Sequence, residues 1–123
     1  MSSPETPDFL RVEARGGIVH VWHGRSAQNV EEGREVLRAI DRELRRTGIQ
    51  MLLFDSRDSD RTPPEVQKLI WNWLSNHTGI RRVATVMESK DLAGNVRVTG
   101  VERGVRLKTF NDQAKAEAWL LEI

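Results

Sequence analysis

Apolar and polar positions alternate with period two in some parts of the chain and recur at three and four in others, and the changes of period divide it into elements. "FLRVEA" and "IVHVWHG" read as two short strands joined by "RGG". Gly16 and Gly17 tolerate positive φ, so the pair is predicted to form a hairpin. Strand alternation puts Val19, Val21 and His23 on one face, with Ile18, His20 and Trp22 on the other. From Ser26 to Thr47 the apolar positions Val30, Gly33, Leu37, Ile40 and Leu44 keep helical spacing. Ser26 is the expected start and Gly48 the expected stop. Glu31, Glu32 and Glu35 come early and Arg42, Arg45 and Arg46 late, which suits the helix dipole.

"IQMLLFD" is predicted to be a buried strand. "PEVQKLIWNWLSNH" is predicted to be a helix with Val66, Leu69, Ile70, Trp73 and His77 along its apolar stripe, and "RRVATVM" a further strand. Residues 89–104 fit a weak helix ending near Gly104, although interior glycines cost about 1 kcal/mol each relative to alanine. "VRLKTF" alternates as a strand. "NDQAKAEAWLLEI" closes as a helix capped by Asn111 or Asp112, with Ala116, Trp119, Leu120 and Ile123 on one face. The predicted order, β-β-α-β-α-β-α-β-α, specifies a single α/β domain with a mixed, mainly parallel sheet flanked by helices. Residues 1–8 are expected to be a disordered tail and residues 9–123 the domain.

Composition narrows the function more than the fold. A length of 123 residues suits one core, and a net charge of +1 offers no field to recruit nucleic acid or a membrane. There is no cysteine, so disulfides, thiol catalysis and thiolate metal sites are excluded. No apolar run is long enough for a membrane span. The polar "MSSPETPD" lacks the blocks of a signal peptide, and a cytoplasmic protein is expected.

The densest chemistry lies at the exit of the central strand, in "FDSRDSDRTPPE". "DSDRT" matches the Asp-x-Asp-x-Thr of haloacid-dehalogenase-type phosphatases, but the strand ends three residues too early and no downstream acidic pair follows. A calcium loop would need a glycine and a later glutamate, and the matching position is Leu69. A receiver domain would use Asp55 as phosphoacceptor with a lysine at a later strand end, and Lys108 lies inside its strand. Ser56, Ser59 and Thr62 are candidate phosphoacceptors, yet Pro63 and Pro64 remove two N–H donors that would cradle a phosphate. The reading without chemistry is a cap, in which Thr62 and Glu65 form a capping box and the helix starts at Pro63 or Pro64.

"VHVWHG", "LLFDSR", "RRVATVMES" and "VRLKTFNDQAKAEAWLLEI", in this order, resemble the STAS family of anti-sigma-factor-antagonist-like domains, in particular its SpoIIAA-like branch, whose fold is also compared with CRAL-TRIO lipid-binding domains. The resemblance covers about residues 9–123. It implies a non-enzymatic domain that binds a protein, such as a kinase or sigma-factor regulator, or a small ligand. It also implies a phosphorylatable Ser or Thr within Ser56–Thr62, where the family's Asp-Ser-(Ser/Thr)-Gly is replaced by "SDRTPP".

The remaining candidates are weaker. His20 and His23 point to opposite strand faces and His77 is distant, so no metal site is expected. Trp71 lies off its helix's core stripe, which fits either a groove between elements or an interface, with a homodimer the simplest form of the latter. The basic run Arg97, Arg103, Arg106 and Lys108 has no interleaved aromatics to suggest nucleic-acid binding.

The leading expectation is a regulatory interaction module acting through the loops beyond the carboxyl ends of the strands. Ser26, Asp55, Ser56, Arg57, Ser59, Thr62 and Ser89 are its candidate contacts. Carriage of a lipid or other apolar small molecule comes second, with residues 89–104 as a gate. A metal-dependent phosphatase is third. No cofactor is expected.

Overall fold

The computed structural model describes residues 8–56, 62–77, 79–87, 98–102 and 105–122, and for 98–102, 105 and 106 the backbone alone. The expected tail over residues 1–8 lies outside these residues except for Asp8.

Strands β1 (Leu10–Arg15) and β2 (Ile18–His23) form the expected hairpin, with Arg15 opposite Ile18 and positive φ at both Gly16 and Gly17. Helix α1 (Val30–Thr47) follows, then β3 (Met51–Asp55), α2 (Pro64–Asn76), β4 (Arg82–Val86), β5 (Val98–Glu102), β6 (Val105–Phe110) and α3 (Gln113–Leu120). The strands join in one sheet in the order β1-β2-β3-β4-β6-β5. β2, β3, β4 and β6 run parallel, and the antiparallel β1 and β5 close the two edges. The α/β class and the mixed, mainly parallel sheet are therefore as the periodicity predicted.

Two local expectations are corrected. Within residues 89–104, Val98–Glu102 form a strand rather than the end of a weak helix. The β-branched Val98, Thr99 and Val101 favour an extended backbone, and pairing with β6 supplies the hydrogen bonds. The rest of that segment lies outside the described residues. Helix α1 also starts later than Ser26. Its cap is Asn29, whose side chain accepts from Glu32 N at 2.8 Å.

The sheet buries both faces. Leu10, Val19, Val21, Leu52, Phe54 and Val83 meet Val36, Leu37, Ile40 and Leu44 of α1 and Val66 and Leu74 of α2. On the other face Ile18, Leu53, Ala84 and Val86 meet Ala116 and Leu120 of α3. Asp112 caps α3 by accepting from Lys115 N at 3.2 Å. Arg82 closes its other end, donating to the carbonyl oxygens of Trp119 and Glu122 at 2.7 Å each.

Helix α2 is held differently. It packs chiefly against α1 rather than flat on the strands, and the crossing point is Gly33. A Cβ built there would stand 3.0 Å from Leu69 Cδ2 and 3.3 Å from Val66 Cγ1. The missing side chain lets the two helices approach. His77 ties the far end of α2 to α1: its Nε2 lies 3.0 Å from Asp41 Oδ1, while Gly79 N–H donates to its Nδ1 at 3.1 Å.

Gly33→Leu is expected to force α2 away from α1 and destabilise the protein by about 1–3 kcal/mol, the usual range for overpacking. Urea denaturation checks this, and an unchanged midpoint and slope would contradict it.

Candidate functional site

The lift of α2 leaves a cavity of about 220 Å³ between that helix and the sheet. It sits toward the carboxyl ends of β2, β3 and β4, where open α/β sheets place their binding sites. Its floor is strand residues: His23, Phe54, Val83, Thr85 and Leu107. Its roof is Val66, Gln67, Ile70, Trp71 and Leu74 of α2, and Ser26, Ala27, Val36, Ser56 and Thr62 complete the wall. None of these residues is acidic, and none is lysine or arginine.

The loop after β2 brings in Ser26. Gly24 N–H donates to Phe9 O at 2.8 Å, and the Arg25 fork grips Glu32 at 3.0 and 2.9 Å while stacking over the Phe9 ring. The Arg25 hydrogen bonds and the Gln28 N–H hold the Glu32 carboxyl down at about 2. With helix capping left to Asn29, Ser26 turns inward and is only 3% exposed. Its Oγ accepts from Thr62 Oγ1 at 3.3 Å.

One expectation fails at α2. The helix does start at Pro64, but its cap residue Pro63 makes no side-chain cap bond and the Thr62–Glu65 box is not formed. The Thr62 hydroxyl instead donates to Ser26 Oγ, and its carbonyl accepts from Gln67 Nε2 at 2.9 Å. Ser26, Ser56 and Thr62 thus converge as expected. Asp55 does not join them. Strand alternation turns it to the α3 face, where it lines a separate recess with Arg11, Trp22 and Gln113. Arg57, Ser59 and Ser89 lie outside the described residues, as do Asp58 and Asp60.

His23 is the feature that sequence reasoning undervalued. It lies on the face of Val19 and Val21, as strand alternation predicts, stacked on Phe54 at 6.0 Å and 9% exposed. Its Nδ1 is buried and has no hydrogen-bond partner among the described residues. Burial pushes its pKa down to about 4, against a smaller upward pull from Asp55. The ring is therefore neutral at physiological pH. The signal that marks it is a histidine continuing the apolar row of a strand.

The other histidines serve elsewhere. His20 lies on the α3 face, 3.7 Å from Glu117, with its pKa lowered chiefly by burial and then by Arg15. His77 meets Asp41 of α1 through Nε2 and accepts from Gly79 N–H at Nδ1. Among the described residues no cluster of three metal-ligating side chains occurs. Lys108 lies inside β6 and holds its amine over the ring of Phe110, the last residue of that strand. Trp71, 37% exposed, borders the cavity. No helix among the described residues is long and apolar enough to cross a membrane.

No family model and no curated protein matches the chain. Among solved structures it is similar to an uncharacterised protein of the DUF3478 family from Shewanella loihica PV-4, described as having a SpoIIAA-like fold. The two are 17% identical, with a TM-score of 0.64 over 90% of this chain and 91% of that one. The chain has a SpoIIAA-like fold.

Stability should carry the mark of His23. In the unfolded chain its pKa is ordinary, so between pH 6.5 and 4 the unfolded state takes up a proton that the folded state refuses. Folding should weaken by about 3 kcal/mol as pH falls through that window. A His23→Phe variant should lack this component, and urea titrations of both proteins at several pH values measure it. Parallel pH curves would refute the assignment.

Proposed function

We propose that the protein is a non-enzymatic binding module that takes a small apolar molecule in the cavity beneath α2. The observation that carries this reading is the cavity: enclosed on one side by strands and on the other by a helix that stands off them, mostly apolar, and set at the carboxyl ends of parallel strands. An engineered apolar cavity of about 150 Å³ is enough for benzene, so about 220 Å³ suits an aromatic-sized ligand. It does not suit a long-chain lipid, which narrows the CRAL-TRIO-like expectation to small ligands. Among the described residues the cavity wall carries no charged side chain, which supports binding over catalysis.

A protein partner is the second reading, and Trp71 supports it. A large ring 37% exposed at the cavity rim is the kind of residue that anchors an interface. Ser26, the buried member of the hydroxyl group, is offered to the cavity and not to a docking surface.

Titration of ¹⁵N-labelled protein with a mixture of small aromatic fragments tests the first reading. Amide shifts are expected at Ser26, Ser56, Ile70 and Thr85 and not along α3. Ile70→Trp, which fills the cavity from its roof, should abolish those shifts while the Tm stays within about 5 °C. A spectrum unmoved by every fragment would remove the reading. A Trp71→Ala variant that keeps its fragment shifts but loses a co-purifying protein would favour the second.

A further inference from the structure

We infer that the free edge of β1 takes a second copy of this chain, with β1 pairing antiparallel to its counterpart about a two-fold axis at Val12. The inference concerns a surface away from the cavity and does not rest on the binding reading above.

β1 ends the sheet, and among the described residues no strand lies on its outer side. One hydrogen bond sets the phase of its backbone. Gly24 N–H donates to Phe9 O at 2.8 Å, and the register that puts Leu10 opposite His23 continues to this pair. Hydrogen-bonded and non-bonded pairs alternate along antiparallel strands, so Arg11, Glu13 and Arg15 also turn their backbone groups to β2. Leu10, Val12 and Ala14 turn theirs to the free edge. Sheet edges are usually blunted by a proline, a bulge or a cover. The sequence LRVEAR has no proline, and its register with β2 is unbroken. The opposite edge differs: β5 shifts register against β6 between Val98 and Val101.

Charge chooses the occupant and the register. Arg11, Glu13 and Arg15 are exposed and alternate in sign along the α3 face of β1. Among the described residues neither Arg11 nor Glu13 makes an ion pair. Pairing about Val12 sets Leu10 opposite the second copy's Ala14 and Val12 opposite its own counterpart, so the outward backbone groups all bond. It also sets Arg11 of each copy opposite Glu13 of the other. These are non-hydrogen-bonded positions, where facing side chains come closest and opposite charges attract. Half-buried Val12 and Ala14 are covered on the other face. Pairing about Glu13 would instead oppose Glu13 to itself and Arg11 to Arg15, and like charges directly opposite are destabilising. Pairing about Ala14 would match Glu13 with Arg15 but run into the Gly16–Gly17 turn. The edge is thus complementary to itself in one register, which gives an isologous contact and a sheet that continues through both copies.

A contact of this size is transient, so sedimentation of the full chain is followed from micromolar to millimolar concentration. The wild type should pass from monomer to dimer. Arg11→Glu and Glu13→Arg each place like charges at both contacts and should each weaken dimerisation at least ~tenfold. An equal mixture of the two variants should regain the dimer, because the acidic pair on one then faces the basic pair on the other. Val12→Pro removes an N–H that only the second copy uses; it should keep the circular dichroism of the fold and lose the dimer. In the wild type, amide exchange at Leu10, Val12 and Ala14 should slow as concentration rises, while Arg11 and Glu13 stay protected throughout.

A wild type that remains monomeric at every concentration would overturn the inference. A mixture of the two charge variants that associates no better than either alone would overturn the register. A dimer that ignores both charge changes but is lost in Trp71→Ala would place the contact on α2 and overturn the edge.

Discussion

The placement of α2 depends on the contact at Gly33. A helix that would ordinarily lie down on the strands is instead drawn onto α1, because α1 has no side chain at the crossing. The tie from His77 to Asp41 fixes the other end of the same contact. What remains between α2 and the sheet is a space bordered by Phe54, Thr85 and Ile70 that no described side chain fills. A glycine within a helix is unfavourable by about 1 kcal/mol against alanine. Its value here lies in the geometry it permits.

The second organising contact is between two hydroxyls. Ser26 and Thr62 each sit where a helix start was expected, and each has the chemistry of a cap. Neither caps. They bond to each other across a sequence separation of 36 residues and close one end of the cavity. Helix α1 manages because Asn29 replaces Ser26 as its cap. Helix α2 has no such replacement, and its first turn relies on prolines, whose missing N–H groups need no partner.

The large-scale reading of the sequence succeeded where a single period governed a whole element. The Gly16–Gly17 hairpin, the α1 stripe from Gly33 to Leu44 and the alternation that separates His23 from Trp22 were legible because local spacing alone determines them. The corrections came where two local solutions were nearly equal. Ser26 and Asn29 are both good caps, and the choice turned on Arg25 gripping Glu32. Thr62 had a partner three residues away in Glu65 and a tertiary one in Ser26, and spacing cannot reveal the second. Residues 98–102 carry glycine and β-branched residues that suit either a poor helix or a strand, and β6 decided between them. The face of His23 was predictable; that its Nδ1 has no hydrogen-bond partner among the described residues was not, because that depends on everything else packed around the ring.

The clamp of Arg82 on the end of α3 has a kinetic consequence. At eight residues α3 is shorter than an isolated helix can sustain in water, so it forms by docking and not before it. Its dock is Leu53, Ala84 and Val86, and its closing bonds come from the first residue of β4. Among the described residues α3 is the cover of that face, so these contacts wait until residues 113–122 have been made and can fold back across a long loop of chain. The α1 face meets its cover much sooner in the order of translation. The two sides of one sheet are expected to close in sequence, with the apolar row of Ile18, Leu53 and Val86 the last to leave water.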